Sequence, residues 1–152
     1  MAERGDVTIV LKEITKENLR EIFKLKVAPE QERFVAPNAV SIAQAYFDRD
    51  IAWFRAIYAN DAPVGFVMLH DEPAGRKYYL WRFMVDYRFQ KQGYGAQALR
   101  QVIEYVRQRP GASELLTSVV PGEGSPGSFY EKLGFAYTGD MDEGERVMRK
   151  PL

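Results

Sequence analysis

The chain has 152 residues, 46% of them hydrophobic and 28% charged, proportions ordinary for a soluble globular domain. Its 21 lysines and arginines balance 21 aspartates and glutamates, so charge gives no reason to expect nucleic acid or an anionic membrane as partner. It has no cysteine and one histidine, His70, which excludes disulfides, thiolate nucleophiles and zinc sites built on several histidines.

The opening residues MAERGDVTIV are charged and lack the apolar core of a secretory leader, and no run approaches ~18 apolar residues. The expectation is a cytoplasmic chain forming one domain over residues 1–152, with no membrane or nucleic-acid partner. Along the chain, VTIVLKEI (7–14) alternates and reads as a strand. Thr15 is the expected cap of a helix through KENLREIFKL. A proline-bearing connection, VAPEQERFVAPNAV, leads to a second short helix for which Ser41 is the expected cap. WFRAIYA and PVGFVMLHD, joined by NDA, read as a hairpin. YYLWRFMVD is nearly continuously apolar, as a central strand buried on both faces should be.

A helix to about Arg109 follows, with Leu99, Val102, Ile103 and Val106 at i, i+3, i+4, i+7 spacing. ELLTSVV is a fifth strand and SFYEKLG a short helix. FAYTGDM and RVMRKPL read as a closing hairpin. The order β-α-α-β-β-β-α-β-α-β-β is that of a mixed α/β domain without repeats.

The stretch RFQKQGYGAQAL (88–99) sets Gly93 and Gly95 at the start of the long helix, although glycine there costs ~1 kcal/mol against alanine. Gly93 to Ala98 fits the dinucleotide pattern G-x-G-x-x-A. That motif needs an acidic residue at the end of the next strand, and here Glu114 stands at its beginning. A phosphate-binding P-loop would need Gly-Lys-Ser/Thr. One remaining reading is close packing of the helix on the sheet. The other is an anion cradle, in which unpaired N–H groups and the helix dipole hold a diphosphate that glycine lets approach. Lys91 and Arg88 could add charge.

Gln90-x-x-Gly93-x-Gly95 resembles the pyrophosphate signature of the GNAT superfamily of acetyl-CoA-dependent N-acetyltransferases. FYEKLGF (129–135) resembles a second motif of that family, and the element order matches along essentially the whole chain. Within the superfamily the sequence looks most like small bacterial spermine/spermidine acetyltransferases. The resemblance implies an α/β fold whose central, mostly antiparallel mixed sheet has about seven strands, with helices on both faces. It implies acetyl-CoA as co-substrate, no metal, and direct transfer to a primary amine, a polyamine such as spermidine or spermine in that subfamily. Alternatives are an antibiotic or amino-acid N-acetyltransferase, or a non-catalytic acyl-CoA-binding module. A homodimer is an assembly the family allows.

Carried over residue by residue, Phe83, Met84 and Val85 would meet the acetyl and pantetheine end on a strand that splays from its neighbour. Gln90, Lys91, Gln92, Gly93, Tyr94, Gly95 and Ala96 would hold the pyrophosphate. Tyr130 matches the tyrosine that protonates the departing thiolate. Related animal polyamine acetyltransferases carry a glutamate where this chain has Trp81, so a side-chain base is missing there. Glu32, His70, Asp71 and Glu72 are candidates to relay the amine proton through water. Glu32 and Trp81, with Glu30, Phe34 and Tyr46 nearby, are the expected acceptor-binding residues. The family's frequent asparagine seven residues before the tyrosine is here Glu123.

Overall fold

The structure, a computed structural model, describes residues 6–152. Seven strands form one sheet in the order β1-β2-β3-β4-β5-β7-β6. They are β1 (Ile9–Lys12), β2 (Ala52–Ala59), β3 (Ala62–Glu72), β4 (Lys77–Val85), β5 (Glu114–Val119), β6 (Ala136–Asp142) and β7 (Glu145–Pro151). All neighbours are antiparallel except β4 and β5. The helices are α1 (Leu19–Lys24), α2 (Asn38–Phe47), α3 (Tyr94–Arg107) and α4 (Gly127–Lys132), with 3-10 turns at Pro29–Phe34 and Tyr87–Phe89. This is the α/β fold, with helices on both faces, that the resemblance implies.

Strand alternation gives the sheet two apolar faces. On one, Ala98, Leu99, Val102, Ile103 and Val106 of α3 pack with Tyr130 of α4 against Val67, Leu69, Leu80, Leu115 and Met148. On the other, Ile22, Leu25 and Ala45 cover Ala56, Phe66, Met68 and Met84. The stripe read from sequence is therefore the buried face of α3. Leu99 is fully buried, so Leu99→Ala is expected to lower unfolding free energy by about 2–5 kcal/mol in a urea titration.

Two helix starts differ from the sequence expectation. The Thr15 carbonyl accepts from Asn18 N and Leu19 N, while Asn18 Oδ1 accepts from Thr15 N at 2.8 Å. Thr15 thus opens a turn, and α1 begins only at Leu19. Ser41 lies inside α2, because the chain turns helical straight after Pro37, whose carbonyl accepts from Ser41 N at 3.1 Å.

Two irregularities in β4 shape everything that follows. Leu69 pairs with Leu80 but Met68 pairs with Arg82, so Trp81 is an extra, bulged residue. A bulge shifts the alternation by one position. Tyr78, Leu80 and Phe83 consequently lie toward the α3 face, whereas Trp81 and Met84 pack on the α1/α2 face. Secondly, β4 meets β5 only through Tyr79–Leu116 and Leu80–Thr117. The Thr117 hydroxyl donates to the Leu80 carbonyl at 3.1 Å and closes the last paired step. Beyond it the strands diverge.

Candidate active site

The divergence opens a cleft of about 840 Å³ that passes through the sheet. On the α3 face it is lined by Phe83, Val85, Phe89, the turn Gln90–Lys91, residues Gly93–Ala96, and Phe129 and Tyr130 of α4. On the α1/α2 face its lining includes Gln31, Arg33, Phe34, Val35, Trp81, Arg82 and Glu145. On the β5 side, β4 has no strand partner after Leu80 among the described residues. That edge leaves backbone N–H and C=O groups open to an extended ligand.

The turn into α3 settles why glycine stands there. Gly93 is the N-cap of α3 with φ 81°, in the left-handed region, and a Cβ placed on it would meet nothing within 4 Å among the described residues beyond its own chain neighbours. Close packing on the sheet therefore does not explain Gly93. Backbone conformation and an open approach to the helix N-terminus do. At Gly95 a Cβ would sit 3.4 Å from Val85 Cγ2 and 3.5 Å from Phe129 Cζ, on the wall of the cleft. Lys91 also adopts positive φ, 63°, in the same turn. A glycine-lined helix start beside an open strand edge suits a diphosphate followed by an extended chain with amides, which are the parts of coenzyme A.

The side chain of Gln90 has a structural role. Its Nε2 donates to the Val85 carbonyl and to Gln31 Oε1, each at 2.9 Å, and Gln31 Nε2 donates back to Gln90 Oε1 at 3.1 Å. These bonds tie the glycine turn to the 3-10 segment that roofs the other mouth of the cleft. The roof is fastened on its far side too, where Arg33 Nη2 donates to the Glu123 carbonyl at 2.9 Å. Arg88 is held by Asp86, with Nε donating to Oδ1 at 2.9 Å. Asp86 is fully buried. Burial would raise its pKa, but bonds from Arg88 and from the Lys26 N–H outweigh that and lower it. Arg88 is not in the cleft lining.

Tyr130 is 6% exposed and packs edge-on against Phe129 and Phe135, at 5.3 and 5.5 Å between ring centroids. Burial pushes its hydroxyl well above the usual tyrosine range, partly offset by the Thr117 hydroxyl beside it. Because Thr117 also closes the last step between β4 and β5, the phenol sits at the apex where the strands part.

The other expected residues are distributed unevenly. Trp81 and Phe34 line the cleft, while Glu30, Tyr46, Met84 and Gln92 do not. Met84 packs into the apolar layer under α1 and α2. Glu32 is exposed and borders a separate, smaller hollow with Lys26 and Tyr87, because the 3-10 turn directs Gln31, Arg33 and Phe34 into the cleft instead. None of His70, Asp71 and Glu72 reaches the cleft. His70 Nε2 lies 3.3 Å from Glu72 Oε1. Asp71 accepts from Tyr105 at 2.6 Å and from Arg109 Nε at 3.1 Å, near the C-terminal end of α3. The 14 residues of α3 separate that cluster from the glycine turn by about 20 Å. Burial, and then Asp71, push the Tyr105 pKa up to about 12. Arg82 and Glu145 were not among the expected residues, yet both line the cleft.

No helix among the described residues is long and apolar enough to cross a membrane. The spermine/spermidine N(1)-acetyltransferase of Bacillus subtilis (strain 168) is 26% identical over 156 aligned positions, covering 96% of this chain and 100% of that protein. An acetyltransferase from Thermus thermophilus shares the fold, with a TM-score of 0.75 at 19% identity over 95% of this chain and 97% of its own. The paia N-acetyltransferase from Thermoplasma acidophilum, solved in complex with coenzyme A, gives a TM-score of 0.71 at 18% identity over 95% and 99%. The model of the acetyltransferase (GNAT) family matches residues 11–135. This chain therefore belongs to the acetyltransferase (GNAT) family and is an acetyl-CoA-dependent N-acetyltransferase.

Proposed function

We propose that the chain acetylates the primary amine of a small molecule, with acetyl-CoA on the α3 side of the cleft and the amine entering from the α1/α2 side. The observation that carries this reading is the parting of β4 and β5 just after Leu80–Thr117, with Tyr130 at the apex and the glycine turn on one side only. Gly93 to Ala96 hold the diphosphate, and the free edge of Phe83 to Val85 meets the pantetheine amides. Met84 contributes through its backbone, since its side chain belongs to the core.

In the transfer a bond forms between amine nitrogen and carbonyl carbon while the carbon–sulfur bond breaks. The amine loses a proton and the thiolate gains one. Tyr130 supplies the second proton, because its raised pKa keeps the phenol protonated throughout the neutral range. The first leaves at the acceptor mouth through water, where Glu145 is the carboxylate of the lining and none of the four expected relay groups stands.

A polyamine is the acceptor supported by the Bacillus subtilis relative. An amino acid is favoured by a different observation, the arginine Arg82 in the acceptor mouth. A thiol-release assay with acetyl-CoA across spermidine, spermine, putrescine, an aminoglycoside and amino acids is expected to show selective turnover of one class. Absence of turnover with every amine, while CoA still binds, would support a binding module instead.

A further inference from the structure

The acceptor mouth has a polarity that suits one class of amine better than another. Strand alternation, reset by the bulge at Trp81, places Tyr79, Arg82, Ser118 and Glu145 on the same face of the sheet. Tyr79 lies between Tyr78 and Leu80, which point to the α3 face. Ser118 pairs across from Val147, one step from Thr117–Met148, and Glu145 shares the Val147 face. Arg82 reaches α2, where its Nη2 donates to Gln44 Oε1 at 3.0 Å, and its Nη1 donates to the Trp81 carbonyl at 3.0 Å.

Two bonds thus fix the guanidinium, but its Nε is buried and has no hydrogen-bond partner among the described residues. Burial lowers the Arg82 pKa, and the charge of Glu145 opposes that. The buried Tyr79 hydroxyl makes no well-formed hydrogen bond either, though the Ser118 hydroxyl is its neighbour. An arginine N–H can only donate. Nη1 and Nη2 each keep one further N–H, so a ligand that pairs with this cleft-lining guanidinium must bring an acceptor oxygen, best an anionic one.

The remaining charges lead the same way. Glu145 is the one carboxylate lining the cleft among the described residues, against Arg33 and Arg82 on the acceptor side, while Lys91 and Lys132 stand on the side of α3 and α4. A polyamine offers several ammonium groups and no acceptor oxygen. It would find Glu145 in the lining, already paired in charge with Arg82, and would set its other ammonium groups against Arg82 and Arg33. An amino acid offers one ammonium and one carboxylate.

We propose that the acceptor is an amine that also carries a carboxylate, as an amino acid does, with the carboxylate held by the Arg82 guanidinium and the ammonium facing Glu145. This rests on the amine-transfer reading above and departs from the acceptor named for the Bacillus subtilis relative. Arg82 and Glu145 then act as specificity residues, Arg82 through charge-assisted bonding and Glu145 by drawing the amine to the side of the sheet opposite Tyr130.

The test compares amino acids with their decarboxylated counterparts: lysine with cadaverine, ornithine with putrescine, tyrosine with tyramine. Each amino acid is also assayed as its amide, which keeps an oxygen but loses the anion. The wild-type enzyme should favour at least one free acid over its decarboxylated partner by tenfold or more in kcat/KM, with the amide well below the acid. Arg82→Gln should collapse that ratio through KM, and Arg82→Lys should recover part of it. Melting temperatures and CoA affinities of both variants check that they fold.

Equal or better turnover of the decarboxylated amines, or turnover of spermidine alone, overturns the proposal and leaves amine transfer standing. An amide equal to its acid, or a loss under Arg82→Gln that is the same for both members of a pair, also overturns it. Failure of every amine, with CoA still bound, overturns the transfer reading itself.

Discussion

Tyr130→Phe is expected to lower kcat by about 100-fold or more, the scale on which a positioned general acid acts, with little change in CoA affinity. The substitution removes one oxygen from a ring that is 6% exposed and leaves the contacts with Phe129 and Phe135, at 5.3 and 5.5 Å, in place. Lost rate would thus report lost proton donation rather than lost packing, and an unchanged melting temperature would verify that. The pH profile adds a second check. Burial raises the phenol above its ordinary value near 10, and the proposed role of acid uses its protonated form. The wild-type rate should therefore rise with pH as the amine deprotonates, with no falling limb from Tyr130 anywhere in the neutral range. A falling limb near neutrality, lost in Tyr130→Phe, would assign the phenol a far lower pKa than its surroundings imply. A full rate in Tyr130→Phe would show that the thiolate finds its proton elsewhere.

The second large effect is expected on binding. Gly93→Val should raise the CoA dissociation constant at least tenfold, or about 1.4 kcal/mol, as measured by titration calorimetry. Gly93 holds φ 81°, a conformation that costs an L-residue about 1–2 kcal/mol and a β-branched one more. Since a Cβ there meets nothing within 4 Å among the described residues beyond its chain neighbours, the substitution adds no clash with the rest of the fold. The damage falls on the orientation of the first turn of α3 and on the space before its N–H groups. Gly93→Ala should lie between the two. Unchanged affinity in Gly93→Val would remove the diphosphate cradle from the account.

The features legible in the sequence were those written locally. The period of α3, the glycines before it and the segment FYEKLGF lie in short stretches, and they led to the fold and to Tyr130. The acceptor side was not local. Alternation through YYLWRFMV puts Leu80, Arg82 and Met84 on one face, and only the pairing of β4 with β3 reveals that Trp81 is an inserted step and that Arg82 turns away from Leu80. Nothing in an almost wholly apolar strand marks that bulge. Glu145 lies 63 residues after Arg82 in the chain and reaches the cleft only because β7 inserts between β5 and β6. Glu32 failed to reach the cleft for a geometric reason. In a 3-10 turn, residues three apart eclipse, so Gln31 and Phe34 share the inner side and Glu32 does not. Asp71 looked like a free carboxylate at a strand end, but Tyr105 of α3 and Arg109 just beyond its end, both more than thirty residues away in sequence, bond to it.

In the proposed complex acetyl-CoA lies between the parted strands with its diphosphate on the start of α3. Amide chemical shifts recorded while CoA is added to the 15N-labelled protein test it most directly. The largest changes are expected on Phe83 to Val85 and on Gly93 to Ala96, with smaller ones at Phe129 and Tyr130, while the cluster of Asp71, Tyr105 and Arg109 stays still. Changes centred on that distal cluster, or a glycine turn that does not respond to saturating CoA, would contradict it.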